Sequence, residues 1–179
     1  MKDRILARRY AKALLDLGVE EKMLERLQDE MKRLTEALQK EPGLLKFLSY
    51  REVAVVKKKK MIESLIQSLL LSPWMKSFLD ILLTRGRITL LPTVAAVFEE
   101  LVNEIENVVV AKVTTADKKS VEGLKESLRK ALEKMTGKKV KFEIEEKASL
   151  IGGMKISIGD TIYDASLSGQ LAKIKEQWL

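Results

Sequence analysis

The sequence contains no cysteine and no histidine. The first absence removes disulfides, thiolate nucleophiles and sulfur-ligated metal sites. The second removes the commonest general base, every Ser-His or Cys-His pair and histidine-bound zinc. Carboxylates, lysine and tyrosine are what remain for proton transfer, which argues against a catalyst before any motif is read. Aromatic residues are only 5% of 179, so aliphatic side chains must fill the core. No run is long and apolar enough to span a bilayer. The longest stretch without a charge is Ser64 to Met75, 12 residues, where a span needs roughly 20. The amino terminus, MKDRILARRY, lacks the apolar stretch of a secretory signal, so a cytoplasmic location without membrane insertion is expected. Asn and Gln are scarce beside abundant Lys and Glu, a weak pointer to a source that grows hot.

What is present suits one ordinary domain or two small ones. Hydrophobic residues make up 46% and charged residues 33%, enough to bury a core and stay in solution. The net charge of +7 (33 basic minus 26 acidic residues) is moderate and evenly spread. Such a bias suits acidic partners or an anionic membrane surface, with no segment monopolising it.

The chain changes character near residue 106. All three prolines precede that point and six of the nine glycines follow it. Apolar spacing has a period near 3.6 up to Ile105, and stretches of period 2 appear afterwards. The reading is an α+β protein of two domains, an all-helical bundle over 1–105 and a small α/β domain over 106–179.

Six helices are expected in the bundle. Leu6, Tyr10, Ala13, Leu14 and Leu17 form one stripe, ended by Gly18. Leu24, Leu27, Met31, Leu34 and Leu38 form a second, spaced as on a helix packed lengthwise. Pro42 opens a short third helix, and Ile62, Leu65, Ile66 and Leu69 mark a fourth. Ser72-Pro73 is a cap and first turn for a fifth, through Phe78, Ile81 and Leu82, stopped by Gly86. A sixth runs from about Pro92 to Ile105. The second domain reads strand, helix, strand, strand, strand, helix. Val108 to Thr114 is the first strand, and Val121 to Met135 a helix stopped by Gly137. Val140-Phe142-Ile144 and Met154-Ile156-Ile158 alternate as half-exposed strands, and Gly159-Asp160 turns the chain into a short strand around Ile162. Leu167, Leu171, Ile174 and Trp178 form the closing helix.

Few residues suggest chemistry. Lys57 to Lys60 is either a phosphate-binding patch, as in a nucleic-acid-binding module, or the solvated start of the fourth helix. No aromatic is interleaved with the lysines as a base-stacking surface would require. Gly152-Gly153 lacks the following helix of a dinucleotide site and more naturally permits positive φ or close backbone approach. Asp160 and Asp164 are either an acid/base pair or residues of a turn and a helix cap. Trp74 and Trp178, near helix ends, read as packing residues. The first helix is the most informative element. Arg8-Arg9-Tyr10-Ala11-Lys12-Ala13-Leu14 sets small alanines among larger apolar residues. These leave a groove for a partner helix, or they let the bundle's own helices approach closely.

Several segments together carry a resemblance. They are Arg9-Tyr10-Ala11-Lys12-Ala13-Leu14, Arg85-Gly86-Arg87-Ile88, Leu150-Ile151-Gly152-Gly153-Met154-Lys155-Ile156-Ser157-Ile158-Gly159-Asp160, and Ile162-Tyr163-Asp164-Ala165-Ser166-Leu167-Ser168-Gly169-Gln170-Leu171. In this the chain resembles the delta subunits of bacterial F-type ATP synthases, counterparts of the mitochondrial oligomycin-sensitivity-conferring protein. It departs from their pattern at Lys147-Ala148-Ser149-Leu150 and at Asp117-Lys118-Lys119-Ser120, both turn or cap sites. The resemblance implies a non-catalytic stator subunit with no cofactor or metal. Such a subunit joins the catalytic head to the peripheral stalk at the cytoplasmic face of the inner membrane, so that ion transport is coupled to ATP synthesis. It further implies that the first domain binds amino-terminal helices of head alpha subunits between its first and fifth helices, at Tyr10, Ala13 and Leu14 opposite Ser77, Phe78 and Ile81. The second domain would bind the carboxy-terminal ends of the stalk b subunits, with Gly152, Gly153, Leu167 and Leu171 as candidates.

Overall fold

The computed structural model describes residues 2–147, 150, 152–167 and 169. The chain is α+β and divides into two compact units, Met1–Val102 and Asn103–Leu179. The expected terminal helix, with Leu171, Ile174 and Trp178, lies outside the described residues apart from its first positions.

The first unit is built from helices: α1 (Lys2–Glu20), α2 (Leu24–Lys40), α3 (Pro42–Ser49), α4 (Val55–Ser68), α5 (Pro73–Thr84), a short 3-10 turn (Ile88–Leu90) and α6 (Leu91–Ile105), whose last residues run past the boundary. Helix ends follow local chemistry. Pro42 and Pro73 occupy first positions, and the Ser72 hydroxyl accepts from the Met75 N–H at 3.2 Å to cap α5. α5 ends in a Schellman motif. Gly86 takes φ +65°, its N–H bonds the Leu83 carbonyl, and the Arg87 N–H bonds that of Leu82. α4 ends the same way through Leu70 (φ 51°) and α1 through Lys22 (φ 54°), neither of them glycine.

Two readings of α1 are corrected. Gly18 does not end the helix, which continues to Glu20. It is buried where α2 begins, and a β-carbon there would lie 3.1 Å from the Leu24 side chain and 3.3 Å from its backbone. The face turned to the core carries Ala7, Ala11, Leu14 and Leu15, so of the expected stripe Leu14 is buried, Leu6, Tyr10 and Leu17 are half-buried at its edge and Ala13 is exposed. Small residues at 7, 11 and 18 let neighbouring helices approach closely, and the apolar side chains pushed aside remain at the surface. The core also encloses one carboxylate. Glu30 of α2 is fully buried and accepts from Arg26 at 2.9 Å and from Ser72 at 2.7 Å, which ties α2 to the cap of α5.

In the second unit, β1 (Val108–Thr115), α7 (Lys118–Thr136), β2 (Lys139–Glu146), β3 (Gly153–Ile158) and β4 (Thr161–Ser166) form a four-stranded sheet of order β2-β1-β3-β4. β1 and β2 are parallel, joined through α7 as a parallel pair requires. β3 runs antiparallel to β1 and forms a hairpin with β4. Alternate residues of β1, β2 and β3 (Ala111, Val113, Val140, Ile156) join Val121 and Leu132 of α7 in a small core.

Candidate interaction site

The six residues expected to form a head-binding groove separate by depth. Leu14 and Phe78 are buried in the bundle, Tyr10 is half-buried, and Ala13, Ser77 and Ile81 are exposed. One contact brings their helices together: the Tyr10 and Phe78 rings meet edge to face, centroids 6.5 Å apart at 79°. The Arg87 guanidinium lies 3.5 Å from the Tyr10 hydroxyl, too far for a strong hydrogen bond. Leu14 and Phe78 are thus core residues, and the more exposed apolar side chains of α1 and α5 lie outside the core. On α5 the exposed face holds more than the sequence reading assigned. Trp74, at 41% exposed, stands three and seven residues before Ser77 and Ile81, and Ile81 is 50% exposed. That spacing was the available signal for Trp74, which the sequence reading took as a packing residue at a helix end. On α1, Leu6 and Leu17 are half-buried.

Of the second set, Gly152, Gly153 and Leu167 are brought together, and Leu171 lies outside the described residues. The Leu167 N–H donates to the Gly152 carbonyl at 3.0 Å, and a β-carbon on Gly152 would come within 2.8 Å of the Leu167 side chain. Gly153 has φ +78°, and a β-carbon there would collide with the Ala165 carbonyl oxygen and lie 3.0 Å from the Ser166 Cα. The glycine pair thus serves close backbone packing against β4. Leu167 itself is 49% exposed.

The remaining polar features have structural roles. Asp160 occupies the β3–β4 turn beside Gly159 (φ +54°). Asp164 lies further along β4, opposite Lys155 in the register, where its carboxylate accepts from the Ser166 N–H at 3.0 Å and hydroxyl at 2.6 Å. The Ser166 hydroxyl in turn accepts from Gly169 N–H at 3.1 Å, so Ser166 is the oxygen that caps and Asp164 braces it. Among the described residues no group of three or more acidic side chains could hold a metal ion, and no helix is long and apolar enough to cross a membrane. Lys57, Lys59 and Lys60 are exposed, and Lys58 is turned into the protein.

Residues 6–178 match the family model described as ATP synthase delta (OSCP) subunit. The chain belongs to this family. The ATP synthase subunit delta of Syntrophobacter fumaroxidans is 35% identical to this chain over 98% of it and 96% of the relative. That of Desulfosudis oleivorans is 34% identical over 98% and 96%. A chain in a cryo-EM structure of the Toxoplasma gondii mitochondrial ATP synthase hexamer superposes with TM-score 0.75 over 97% of both chains. At 21% identity, that likeness speaks to the fold alone. As a delta/OSCP subunit the protein is a non-catalytic stator component of ATP synthase, peripherally associated with the complex. The nucleic-acid reading of Lys57–Lys60 finds no support in the family.

Proposed function

We propose that residues 1–105, a six-helix bundle, form the head-binding domain of this delta subunit. Residues 106–179, which carry the four-stranded sheet and α7, form its stalk-binding domain. On this reading the flank of α1 and α5 receives amino-terminal helices of head alpha subunits. The observation that carries it is the Tyr10–Phe78 contact that joins α1 to α5, with exposed Ala13 on the first helix and exposed Trp74 and Ile81 on the second. A helix laid there would bury its i, i+3, i+4 and i+7 residues against a preformed surface. Torque on a stator joint calls for slow dissociation, and nanomolar binding corresponds to about 12 kcal/mol. A standard interface of about 1,600 Å² reaches that when apolar anchors hold its centre and little must be ordered on binding.

The carboxy-terminal ends of the stalk b subunits would bind the second domain, with Gly152, Gly153, Leu167 and Leu171 as its contact region. The exposed Leu167, held against the glycine pair, supports that assignment. The assembled subunit would work at the cytoplasmic face of the inner membrane.

Titration of the full chain with an alpha amino-terminal peptide tests the groove. Ala13 is exposed, so Ala13→Asp leaves the bundle folded. In the complex it places an unpaired charge in an apolar contact, which weakens binding by about 3–5 kcal/mol. Unchanged affinity in the folded variant refutes the assignment.

A further inference from the structure

A cavity of about 290 Å³ opens in the first unit, remote in sequence from the proposed α1 contact. Three cations line it: Arg51 from the loop before α4, Lys58 from the first turn of α4, and Arg85 at the end of α5. Leu48, Leu83 and Ile88 provide apolar wall, and no carboxylate lines it. Lys58 is the decisive residue. Its side chain is only 9% exposed, yet among the described residues no carboxylate lies within ion-pair distance of it and it donates no side-chain hydrogen bond. Its ammonium nitrogen is not sealed from solvent, so the charge faces the open cavity, and a lysine this deeply buried is ordinarily paired.

The helix that carries Lys58 sharpens the point. α4 begins at Val55 with no side-chain cap from Ala54 and no acidic residue in its first turn, where Lys57 and Lys58 stand instead. Positive charge at a helix amino terminus opposes the macrodipole. An anion in the cavity would give the Lys58 ammonium the partner it lacks and offset the unopposed positive charge around it.

We infer that the Arg51–Lys58–Arg85 cavity is a binding site for a phosphate group. Two guanidinium forks and an ammonium suit the several acceptor oxygens and double charge of a phosphate monoester better than the single charge of a carboxylate. The volume lies near the lower end of the roughly 300–1,000 Å³ of small-molecule sites, so free phosphate fits, as does a phosphate carried on a small organic group.

The test is a titration of the full chain with inorganic phosphate and, in a separate arm, ribose 5-phosphate, at constant ionic strength set with chloride. Binding is followed by calorimetry and by amide chemical shifts. Saturable binding is expected, with shifts centred on Lys58 and Arg85. Lys58→Met keeps the apolar stem and removes the charge, and should weaken binding at least about tenfold. Arg85→Gln, at an exposed position, should weaken it in the same direction and serves if Lys58→Met does not fold. Lys59→Gln removes a neighbouring exposed charge and should leave affinity unchanged. Tighter binding of the sugar phosphate would assign the rest of the cavity to an organic moiety, and equal affinities would assign the site to the phosphate group alone. No saturable binding of either ligand overturns the inference. So does an affinity indifferent to Lys58→Met or Arg85→Gln, or one reduced equally by Lys59→Gln.

Discussion

The two units enclose their apolar side chains to different degrees. In the first, every α-helix contributes to one extensive core, and residues such as Phe98, Leu82 and Met75 are almost completely enclosed. Trp74 and Ile81 are exposed despite that core, and so are Ile5, Val19, Tyr50, Val55, Val56 and Leu70. In the second, the described residues bury only a handful of side chains fully, and most of the sheet's apolar residues are half-covered. Leu124 on α7 and Tyr163 on β4 are among its exposed apolar residues. The units therefore differ in how completely they enclose their apolar residues, and exposure alone does not separate them.

That contrast can be broken by mutation. Phe98→Ala empties a site that is enclosed on all sides, so it should cost about 3–5 kcal/mol. Phe142→Ala removes the same atoms from a half-buried position on β2 and should cost clearly less. Denaturant unfolding of the full chain, followed by probes placed in each unit, reads both. Equal losses would mean that the sheet unit is packed as tightly as the bundle. A smaller effect sharpens the comparison in the other direction. Gly153→Ala forces a side chain into the left-handed region and against the Ala165 carbonyl, and should destabilise the sheet unit by about 1–3 kcal/mol while leaving the bundle's transition in place. A shifted bundle transition would show that the units do not unfold independently.

Much of this architecture was legible in the sequence because helix punctuation is local. Pro42, Ser72-Pro73 and Gly86 each carry their own geometric instruction, and the structure places helix ends at all of them. Alternation in β2 and β3 was equally plain. What could not be read is which of two adjacent apolar stripes on α1 faces inward. Of the expected stripe Leu6, Tyr10, Ala13, Leu14 and Leu17 only Leu14 is fully buried, and Ala7 and Ala11 point to the core beside it, because close helix approach favours small residues over large ones. Glu30 was missed for a related reason. A carboxylate on the apolar face of α2, three residues after Leu27, reads as an interruption until Ser72, 42 residues later, supplies its partner. Tertiary partners decide such positions, and spacing alone does not contain them. Lys58 shows the same limit, since four consecutive lysines look alike until the helix is packed against its neighbours.

The last comparison is between helix ends inside the bundle. α5 turns with Gly86 in the left-handed region, and α4 makes the equivalent turn with Leu70, whose side chain is 75% exposed. An L-residue there costs roughly 1–2 kcal/mol in backbone strain. Glycine would relieve that strain but loses more freedom on folding, which takes back about 0.5–1 kcal/mol. Leu70→Gly should therefore stabilise the bundle by at most about 1 kcal/mol, read as a small rise in its denaturation midpoint. The neighbouring Leu71 is buried and is unaffected by the change, so the turn keeps its apolar anchor. A loss of stability would show that the Leu70 side chain contributes contacts its exposure does not suggest. A gain would mean that a leucine is retained at a strained, solvent-facing turn despite a more stable alternative, which would make that turn the next place to look for a partner.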